Sequence, residues 1–483
     1  MRDFTQGNIL RQVIVFTAPL ILGNLLLSVY TIINMIWIGR LLGPEALAAV
    51  TSANSLLMLF PSLLIGLATA TSIMVAQAVG RKDEKLIKTV LSTSFYVNMF
   101  LCLVLSVLGV VFSRFFLQLV NTPLEIMPLA RVFFMIIIGG MIFQFFFNWM
   151  SGMLRGMGDA QTPLYFLGLA ALLNLIMVPV LIQGWGLFPR LGLAGAAGAT
   201  VLANFTAGLS AYFFISRKYP LFNIRHWTRS IDWRIFHKIF FIGIPTSLQM
   251  MIVSLSGIFI MSLINHFGVV LAAAAGMGLQ MDGLAFMPVM AFGMAVTAMA
   301  GQNLGAGRLD RVGHITRYTI LLSLAVSSGI GLFFFLFPRL VATLFLSRAS
   351  TTVADQAALF HALTWYLRIG CFNYLGFALI FTFQGVIRGA GDTWAALFLT
   401  FLAVIVLRIP LAAFLAHKTP LQEIGIWIGI LLSTVLAVIV NYLYYKSGRW
   451  QRIKLFKSTE PAPVSAAVAT IPGVLPAEPL VEN

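Results

Sequence analysis

The sequence predicts an all-α integral membrane protein with twelve transmembrane helices, arranged as two parallel repeats of six. Of its 483 residues, 60% are hydrophobic and only 10% are charged, whereas about 25% of the residues of a soluble domain are charged. The apolar runs are long enough for helices, which need about 20 residues to cross a bilayer. They stay apolar on every face, unlike the alternating strands of a membrane β-barrel. A repeated set of motifs, described below, predicts the division into two halves.

Glycine, proline and asparagine mark several boundaries between the predicted helices. Leu42-Gly43-Pro44 separates helices 1 and 2, and Asn121-Thr122-Pro123 separates helices 3 and 4. Gly158-Asp159 follows helix 4, and Gly391-Asp392 follows helix 10. The predicted helices cover residues 12–38, 46–78, 88–112, 127–153, 161–184, 192–217, 236–264, 271–301, 312–338, 356–387, 393–416 and 421–446.

The orientation of the helices explains the net charge of +16. When the N-terminus is placed in the cytoplasm, most Lys and Arg residues fall in cytoplasmic loops and in the tail, as the positive-inside rule requires. We therefore expect both termini to be cytoplasmic. No basic stretch is long or aromatic-rich enough to bind nucleic acid, so the expected surroundings are the lipid bilayer.

The longest polar connection, residues 218–238, divides the chain. It predicts an N-lobe at 1–217 with helices 1–6 and a C-lobe at 239–446 with helices 7–12, joined by a cytoplasmic linker. Residues 447–483 are the predicted cytoplasmic tail. Its end is rich in proline and poor in large apolar residues, so we expect it to be disordered.

Several motifs of the first half recur in the second at a nearly constant spacing. GMLRGMGD at 152–159 recurs as GVIRGAGD at 385–392, and Gln77 recurs as Gln302. Because each repeat has an even number of helices, both halves cross the membrane in the same direction, with the working cavity between them. This arrangement predicts a transporter whose two lobes rock to give alternating access.

Five segments carry a more specific likeness. They are YTIINMIWIGRLLGPEAL at 30–47, GLATATSIMVAQAVG at 66–80, GMLRGMGDAQTP at 152–163, residues 173–199, and GQNLGAG at 301–307. As a set they resemble the multidrug and toxic compound extrusion (MATE) family of the multidrug/oligosaccharidyl-lipid/polysaccharide flippase superfamily, over roughly residues 8–446.

The resemblance implies a V-shaped pair of six-helix lobes in a bacterial inner membrane. The implied activity is secondary active efflux of amphiphilic, often cationic compounds by a rocker-switch mechanism, in exchange for Na⁺ or H⁺. It implies a monomeric transporter and not an enzyme, with no cofactor other than the coupling ion.

This sequence departs from the family pattern at two positions of the N-lobe. The family commonly has Asp on helix 1 where this chain has Asn34, and Asp on helix 5 where this chain has Val178. Neither side chain can carry a proton. The N-lobe therefore keeps only a neutral polar remnant, formed by Asn34, Asn174, Thr200 and Asn204.

Asp282 in helix 8 is the one acidic residue that lies deep within a predicted span. A charge there costs at least about 2.5–3.5 kcal/mol, so it normally faces a cavity or a partner. We expect Asp282, with the nearby Gln280, to bind the coupling cation or proton. The alternative is a structural ion pair with Arg408 or Arg368.

Two further polar residues are candidates for the substrate cavity. Gln249 in helix 7 could line the C-lobe part of the cavity, or it could form hydrogen bonds between helices. Arg408 in helix 11 could hold an anionic head group. The six histidines lie in or near loops without a metal-binding spacing, so no metal site is expected.

Two other functions fit parts of the sequence. A lipid-linked saccharide flippase of the same superfamily would want a cationic cavity, for which only Arg368 and Arg408 are available. The remote alternative is an intramembrane aspartyl protease, because Asp159 and Asp392 each end a Gly-x-Gly-Asp string. Both aspartates follow an arginine at a helix end, however, where Asp is an ordinary N-cap of the next helix.

Overall fold

The computed structural model describes residues 2–57, 59–186, 188–222, 227, 230–345 and 353–456. Helices account for nearly all of these residues, and none of them forms a strand. Eleven helices are long and apolar enough to cross a membrane, and a bent pair raises the number to twelve. The all-α, twelve-helix class predicted from the sequence is therefore confirmed.

The described residues form eight α-helices in each half of the chain. In the first half they are α1 (Ile9–Leu57), α2 (Leu59–Gly80), α3 (Glu84–Val111), α4 (Ser113–Leu119), α5 (Met127–Gly139), α6 (Met141–Gly156), α7 (Gln161–Gln183) and α8 (Gly192–Lys218). In the second half they are α9 (Trp233–Asn265), α10 (Val269–Gly305), α11 (Leu309–Leu336), α12 (Pro338–Phe345), α13 (Val353–Gly389), α14 (Thr393–Phe401), α15 (Ile409–Lys418) and α16 (Gln422–Lys446).

Four predicted helices differ in detail from the observed ones. Predicted helix 1 and the first part of predicted helix 2 run together in α1, where Gly43 has a φ of 85° that only glycine adopts easily. Its counterpart Gly268, just before α10, has a φ of 100°. Predicted helix 4 is the pair α5 and α6, bent by 43°. Predicted helix 11 is α14 and α15 with a π-helical segment, Leu402–Arg408, between them.

The two halves meet where α1 and α2 pack against α9 and α10. The Ser247 hydroxyl of α9 donates to the carbonyl oxygen of Leu63 at 2.9 Å. A Cβ at Gly66 would lie 2.6 Å from the Gly243 carbonyl oxygen, so glycine is needed for this close approach of α2 and α9. On α1, the Asn24 amide donates to the carbonyl oxygen of Met287 at 3.2 Å.

At one end of the molecule, reciprocal hydrogen bonds join the halves. The Gln77 amide donates to the carbonyl of Gly389, and the Gln302 amide donates to the carbonyl of Gly156, both at 2.9 Å. We call this repeat-related pair of bonds the glutamine latch. A Cβ at Gly80 would lie only 1.9 Å from the Gln302 carbonyl oxygen. The small residues of the repeated motifs thus let the helix ends of the two halves touch.

Both termini reinforce this end, which we call the latch end. The Phe4 backbone N–H donates to Gln302 Oε1 at 3.1 Å, and the Asn303 amide donates to the Phe4 carbonyl at 3.1 Å. Near the other terminus, Arg81 Nη1 donates to the Phe456 carbonyl at 3.1 Å. Each terminal segment therefore binds the opposite half of the chain.

The first part of the predicted tail is packed. Trp450 is buried and stacks on Tyr445 at 5.6 Å between ring centroids. Residues 457–483, where the predicted disorder falls, lie outside the described residues. So does most of 223–229 in the predicted linker. The lobe boundaries at 217, 238 and 446 stay a prediction.

Candidate functional site in the C-lobe

The Asp282 carboxylate is held between two tyrosine hydroxyls. Tyr366 and Tyr374, both on α13, donate to its two oxygens, Oδ2 at 2.6 Å and Oδ1 at 2.7 Å. Such short distances are typical of hydrogen bonds to a charged acceptor. Asp282 is partly buried, while Tyr366 is 7% and Tyr374 2% exposed. We call these three side chains the tyrosine cage.

A glycine one turn before the carboxylate makes room for the cage. A Cβ at Gly278 would lie 2.3 Å from the Tyr366 ring, so any larger residue would push that ring away from α10. The other side of the Tyr366 ring packs on Trp427 of α16, with ring centroids 4.6 Å apart. Tyr374 packs near Phe334 at 6.2 Å. These apolar contacts fix both hydroxyls on the carboxylate.

Arg408 lies close to the cage without forming an ion pair. Within the described part of the chain, its nitrogens do not come within 4 Å of the Asp282 oxygens. Its Nε donates to Ser433 Oγ at 3.4 Å, and its guanidinium lies 5.8 Å from the Phe377 ring centroid. Arg408 is the last residue of the π-helical segment, a structure often found at functional sites.

The ion-pair alternative for Asp282 has no support in these contacts. Arg368 lies over the ring of Phe335 at 5.5 Å, and Arg408 is engaged by Ser433. Gln280, although only two residues from Asp282, is exposed and takes no part in the tyrosine cage.

Gln249 lies in a different network. Its amide donates to Gln384 Oε1 at 2.9 Å and to Thr400 Oγ1 at 2.6 Å. Gln249 is only 7% exposed. These bonds tie α9 to α13 and α14, so the structure favours the interhelical account of Gln249 over a cavity wall.

The N-lobe remnant is brought together more completely. Asn174 Nδ2 donates to Thr200 Oγ1 at 2.9 Å, and Asn34 and Asn174 line one cavity of about 230 Å³. Tyr30, which also lines it, lies within interaction distance of Asn34 and Thr200. Asn204, one turn beyond Thr200, is partly buried and is not among the residues that line this cavity.

Two features of this cavity define its chemistry. Asn174 Oδ1 is buried with no hydrogen-bond partner among the described residues. Val178, one turn further along α7, is 1% exposed and does not line the cavity. Otherwise the walls are aliphatic. The cavity therefore offers neutral donors and acceptors but no charge.

Sequence reasoning missed the tyrosines of both sites. Tyr366 and Tyr374 are eight residues apart, about two helical turns, so they share one side of α13. That spacing and the Gly278–Asp282 spacing of one turn were the available signals. Neither says which of 11 tyrosines meets the carboxylate, because the meeting depends on how α10 and α13 pack.

The two Gly-x-Gly-Asp strings end in helix caps. Asp159 Oδ1 accepts from the Thr162 backbone N–H at 3.0 Å, and Asp392 Oδ1 accepts from that of Ala395 at 3.4 Å. A tyrosine donates to each carboxylate, Tyr219 in the first half and Tyr444 in the second. Each aspartate therefore caps a helix of its own half, which removes the basis for a protease dyad.

Burial alone would raise the pKa of Asp159. Hydrogen bonds from Thr162 and Tyr219 and the charge of Lys218 outweigh it and hold the pKa below its usual value. Lys218 Nζ lies 3.8 Å from the carboxylate. As for metals, the described residues include no cluster of three or more His, Cys, Asp or Glu that could bind one.

Two helical repeats with polar sites among apolar helices are typical of a secondary transporter. Comparison with known proteins identifies the family. The MatE family model matches residues 19–180 and 245–414, one segment in each half. The chain belongs to the MatE family, and it is a multi-pass multidrug-family transporter for small molecules, not an enzyme.

Relatives cover nearly the whole chain. The probable multidrug resistance protein YpnP of Bacillus subtilis is 32% identical over 461 residues, which span 94% of this chain and 98% of the relative. The FAD transporter of Shewanella oneidensis is 26% identical, spanning 83% of this chain and 87% of that protein. A solved multidrug resistance MATE transporter of the MOP superfamily, in an outward-facing conformation, has a TM-score of 0.83 at 23% identity. It covers 92% of this chain and 96% of its own, and this likeness shows the fold.

Proposed function

We propose that this chain exports amphiphilic, cationic compounds by antiport against Na⁺ or H⁺, with Asp282 as the residue that binds the coupling ion. The observation that carries the proposal is the tyrosine cage. A carboxylate at membrane depth is costly to bury, and here two hydroxyls hold it in place with no permanent ion pair. A carboxylate free of a fixed counter-ion can bind and release a cation.

The N-lobe supports the same assignment by contrast. Its polar site has amides at Asn34 and Asn174 and an isopropyl group at Val178, none of which titrates. If coupling requires a charge that is neutralised and restored in each cycle, Asp282 is the group that supplies it. The N-lobe cavity of about 230 Å³ is then available to apolar or neutral parts of a substrate.

The latch end supports rocker-switch alternating access. If both termini are cytoplasmic, as the charge distribution predicts, the glutamine latch closes the cytoplasmic side. We infer an outward-open state, in which the latch must break before the cytoplasmic side opens.

The remaining expectations complete the proposal. The protein works as a monomer in the bacterial inner membrane, with an N-lobe at 1–217, a linker at 218–238, a C-lobe at 239–446 and a cytoplasmic tail. Gln280, Gln249, Arg408 and the N-lobe remnant are secondary candidates for ion or substrate contacts.

The lipid-linked saccharide flippase remains the alternative. It needs cations free to hold a pyrophosphate, yet Arg368 faces Phe335 and Arg408 faces Ser433 and Phe377. An anionic nucleotide substrate, as in the relative named a FAD transporter, would also need free cations in the cavity. These contacts favour cationic substrates.

Transport by purified protein in proteoliposomes tests the proposal. Ethidium, a cationic dye, should accumulate against its own gradient when either a Na⁺ or a pH gradient is imposed. FAD and a lipid-linked saccharide should show no movement above protein-free vesicles. Movement of either anionic compound with no ethidium transport would overturn the proposal.

A further inference from the structure

The surface of the first half carries a groove between α7 and α8 that is separate from both polar sites. It has a volume of about 590 Å³ and is lined by Phe166 of α7 and by Ser210, Phe213, Phe214, Arg217 and Lys218 of α8. The α8 residues recur every three or four positions, so they share one face of that helix. We call this feature the α7–α8 groove, and along it the aromatic rings precede the two cations.

The cations of the groove lie at the latch end. Lys218, the last residue of α8, has its Nζ 3.8 Å from the carboxylate of Asp159. Asp159 is three residues from Gly156, whose carbonyl accepts one bond of the glutamine latch. If the latch end is cytoplasmic, as the charge distribution predicts, the groove opens towards the cytoplasmic leaflet.

The length of α8 places the cations at the level of the lipid head groups. The helix has 27 residues, which span about 40 Å, close to the thickness of a bilayer with its head groups. Its last turn therefore reaches the phosphates of the cytoplasmic leaflet. The rings, one turn earlier, lie where the acyl chains begin.

The rings form an exposed apolar wall. Phe213 is 54% and Phe214 is 48% exposed, and Phe166 lies beside Phe214 with ring centroids 5.6 Å apart. None of the three is packed into the interior of the lobe. An acyl chain can lie along this wall.

The two cations are available to an anion from outside the protein. The Lys218 ammonium is 5.6 Å from the Phe214 ring centroid, and its side chain is 48% exposed. Arg217 is also exposed and forms no hydrogen bond or ion pair with any residue that the structure describes. A guanidinium can bind a phosphate through two parallel hydrogen bonds, and basic pockets between membrane helices on the cytoplasmic side bind anionic head groups.

The corresponding helix end of the second half lacks these cations. A tyrosine that donates to the aspartate of the helix cap marks equivalent positions, Tyr219 in the first half and Tyr444 in the second. Tyr219 follows the two cations, whereas Tyr444 follows Tyr442 and Leu443. The cations are therefore not part of the cap that the two repeats share, which favours a separate role for them.

We propose that the α7–α8 groove binds an anionic phospholipid of the cytoplasmic leaflet. Its phosphate lies on Arg217 and Lys218, and one acyl chain lies along the three phenylalanine rings. Binding at this site depends neither on the exported compound nor on the coupling ion, so the inference stands apart from the proposed transport function.

Native mass spectrometry of the purified full chain tests the site, with phosphatidylglycerol titrated against phosphatidylcholine of the same acyl chains. The wild type should bind its first phosphatidylglycerol several-fold more tightly than phosphatidylcholine, because only phosphatidylglycerol has a net negative charge. Arg217→Gln combined with Lys218→Gln should weaken that binding by at least about tenfold, since each cation near the head groups attracts an anionic lipid.

Lys446→Gln combined with Arg449→Gln is the matched control. Both residues are exposed and follow the end of α16 or lie in its last turn, so this variant loses the same charge outside the groove. Its affinity for phosphatidylglycerol should equal that of the wild type. Phe214→Ala, which removes the central ring of the wall, should weaken binding several-fold without any change of charge.

The thermal unfolding midpoint of each variant checks its folding. If the double variant of the groove does not fold, Arg217→Gln alone, which leaves the contact of Lys218 with Asp159 intact, should still weaken binding by about fivefold. Equal losses in the groove variant and the matched control would overturn the proposal, as would equal affinity for the two lipids. Full displacement of phosphatidylglycerol by inorganic phosphate would also overturn it, because the site would then recognise a free anion and not a lipid.

Discussion

The two halves of the chain contain polar sites with opposite chemistry. In the C-lobe the Asp282 carboxylate accepts hydrogen bonds from two phenols, Tyr366 and Tyr374. In the N-lobe Tyr30 lies near amide and hydroxyl groups in a cavity with no charge. Of these two sites, the C-lobe one contains a carboxylate and the N-lobe one does not. Under the proposed function, coupling and substrate accommodation are divided between the repeats.

The halves also differ in how their sites are packed. The C-lobe cage is tight, since Gly278 has no space for a side chain beside Tyr366. In the N-lobe, Asn174 lines a cavity of about 230 Å³, and its Oδ1 is buried with no partner among the described residues. A buried polar atom without a partner costs about 1–3 kcal/mol, so the N-lobe site is less completely satisfied than the cage.

The largest difference between the halves is expected when the tyrosine cage loses its two hydrogen-bond donors. Tyr366→Phe combined with Tyr374→Phe should reduce ion-driven ethidium transport by at least about tenfold, because the carboxylate loses both charge-assisted hydrogen bonds. Tyr30→Phe, the matching change in the N-lobe, should alter transport by less than about twofold if coupling resides in the C-lobe. Equal losses in the two variants would refute the division of labour.

The close packing of the cage makes Gly278 the next test. Gly278→Ala should lower transport several-fold, because the added methyl group forces the Tyr366 ring away from Asp282. Gly283→Ala is the control on the same helix, where a Cβ meets nothing within 4 Å, and it should behave as the wild type. If both variants transport normally, the position of Tyr366 does not matter.

Restoring charge to the N-lobe should reduce the contrast between the halves. Asn34→Asp together with Val178→Asp should change the pH or Na⁺ dependence of transport, because the cavity would gain groups that bind a cation. The measurement is the transport rate over pH and Na⁺ series, with Asn34→Ser and Val178→Ala as neutral controls. An unchanged dependence would mean that the N-lobe has no ion site in this protein.

The smallest effect is expected at the helix cap of Asp159. Its pKa lies below the usual value, so the carboxylate stabilises the fold above its unfolded pKa of about 3.9. That contribution is lost as the pH falls through the lower folded value.

Asp159→Asn should therefore lower the thermal midpoint by a few degrees at neutral pH, and the difference should disappear in strong acid. Asp310→Asn, at an exposed position in the first turn of α11, is the control. A difference between Asp159→Asn and wild type that persists in acid would contradict the charge-based account.

Much of the fold followed from the sequence because membrane helices are defined by apolar length. The bend between α5 and α6 and the π-helical segment before Ile409 could not be predicted, since both depend on packing against neighbouring helices. Pro410 marks the second of these places but does not specify its geometry. The break at Gly43 was visible as a Gly-Pro turn.

The candidate sites could be predicted only in part from the sequence. Asp282 stood out because a lone acid in an apolar helix is rare, and resemblance to the family identified Asn34 and Asn174. The residues that give Asp282 its chemistry lie more than 80 positions away along the chain. Gln280 is close to Asp282 in sequence but is exposed and outside the cage, because two residues span about 200° of a helix.

The central claim is that Asp282 carries the coupling ion. Its most direct test is uphill transport of ethidium by Asp282→Asn in proteoliposomes, under combined pH and Na⁺ gradients. We predict that the variant folds and equilibrates ethidium across the membrane but does not concentrate it, whereas the wild type does. Concentration of ethidium by Asp282→Asn to the wild-type level would contradict the account.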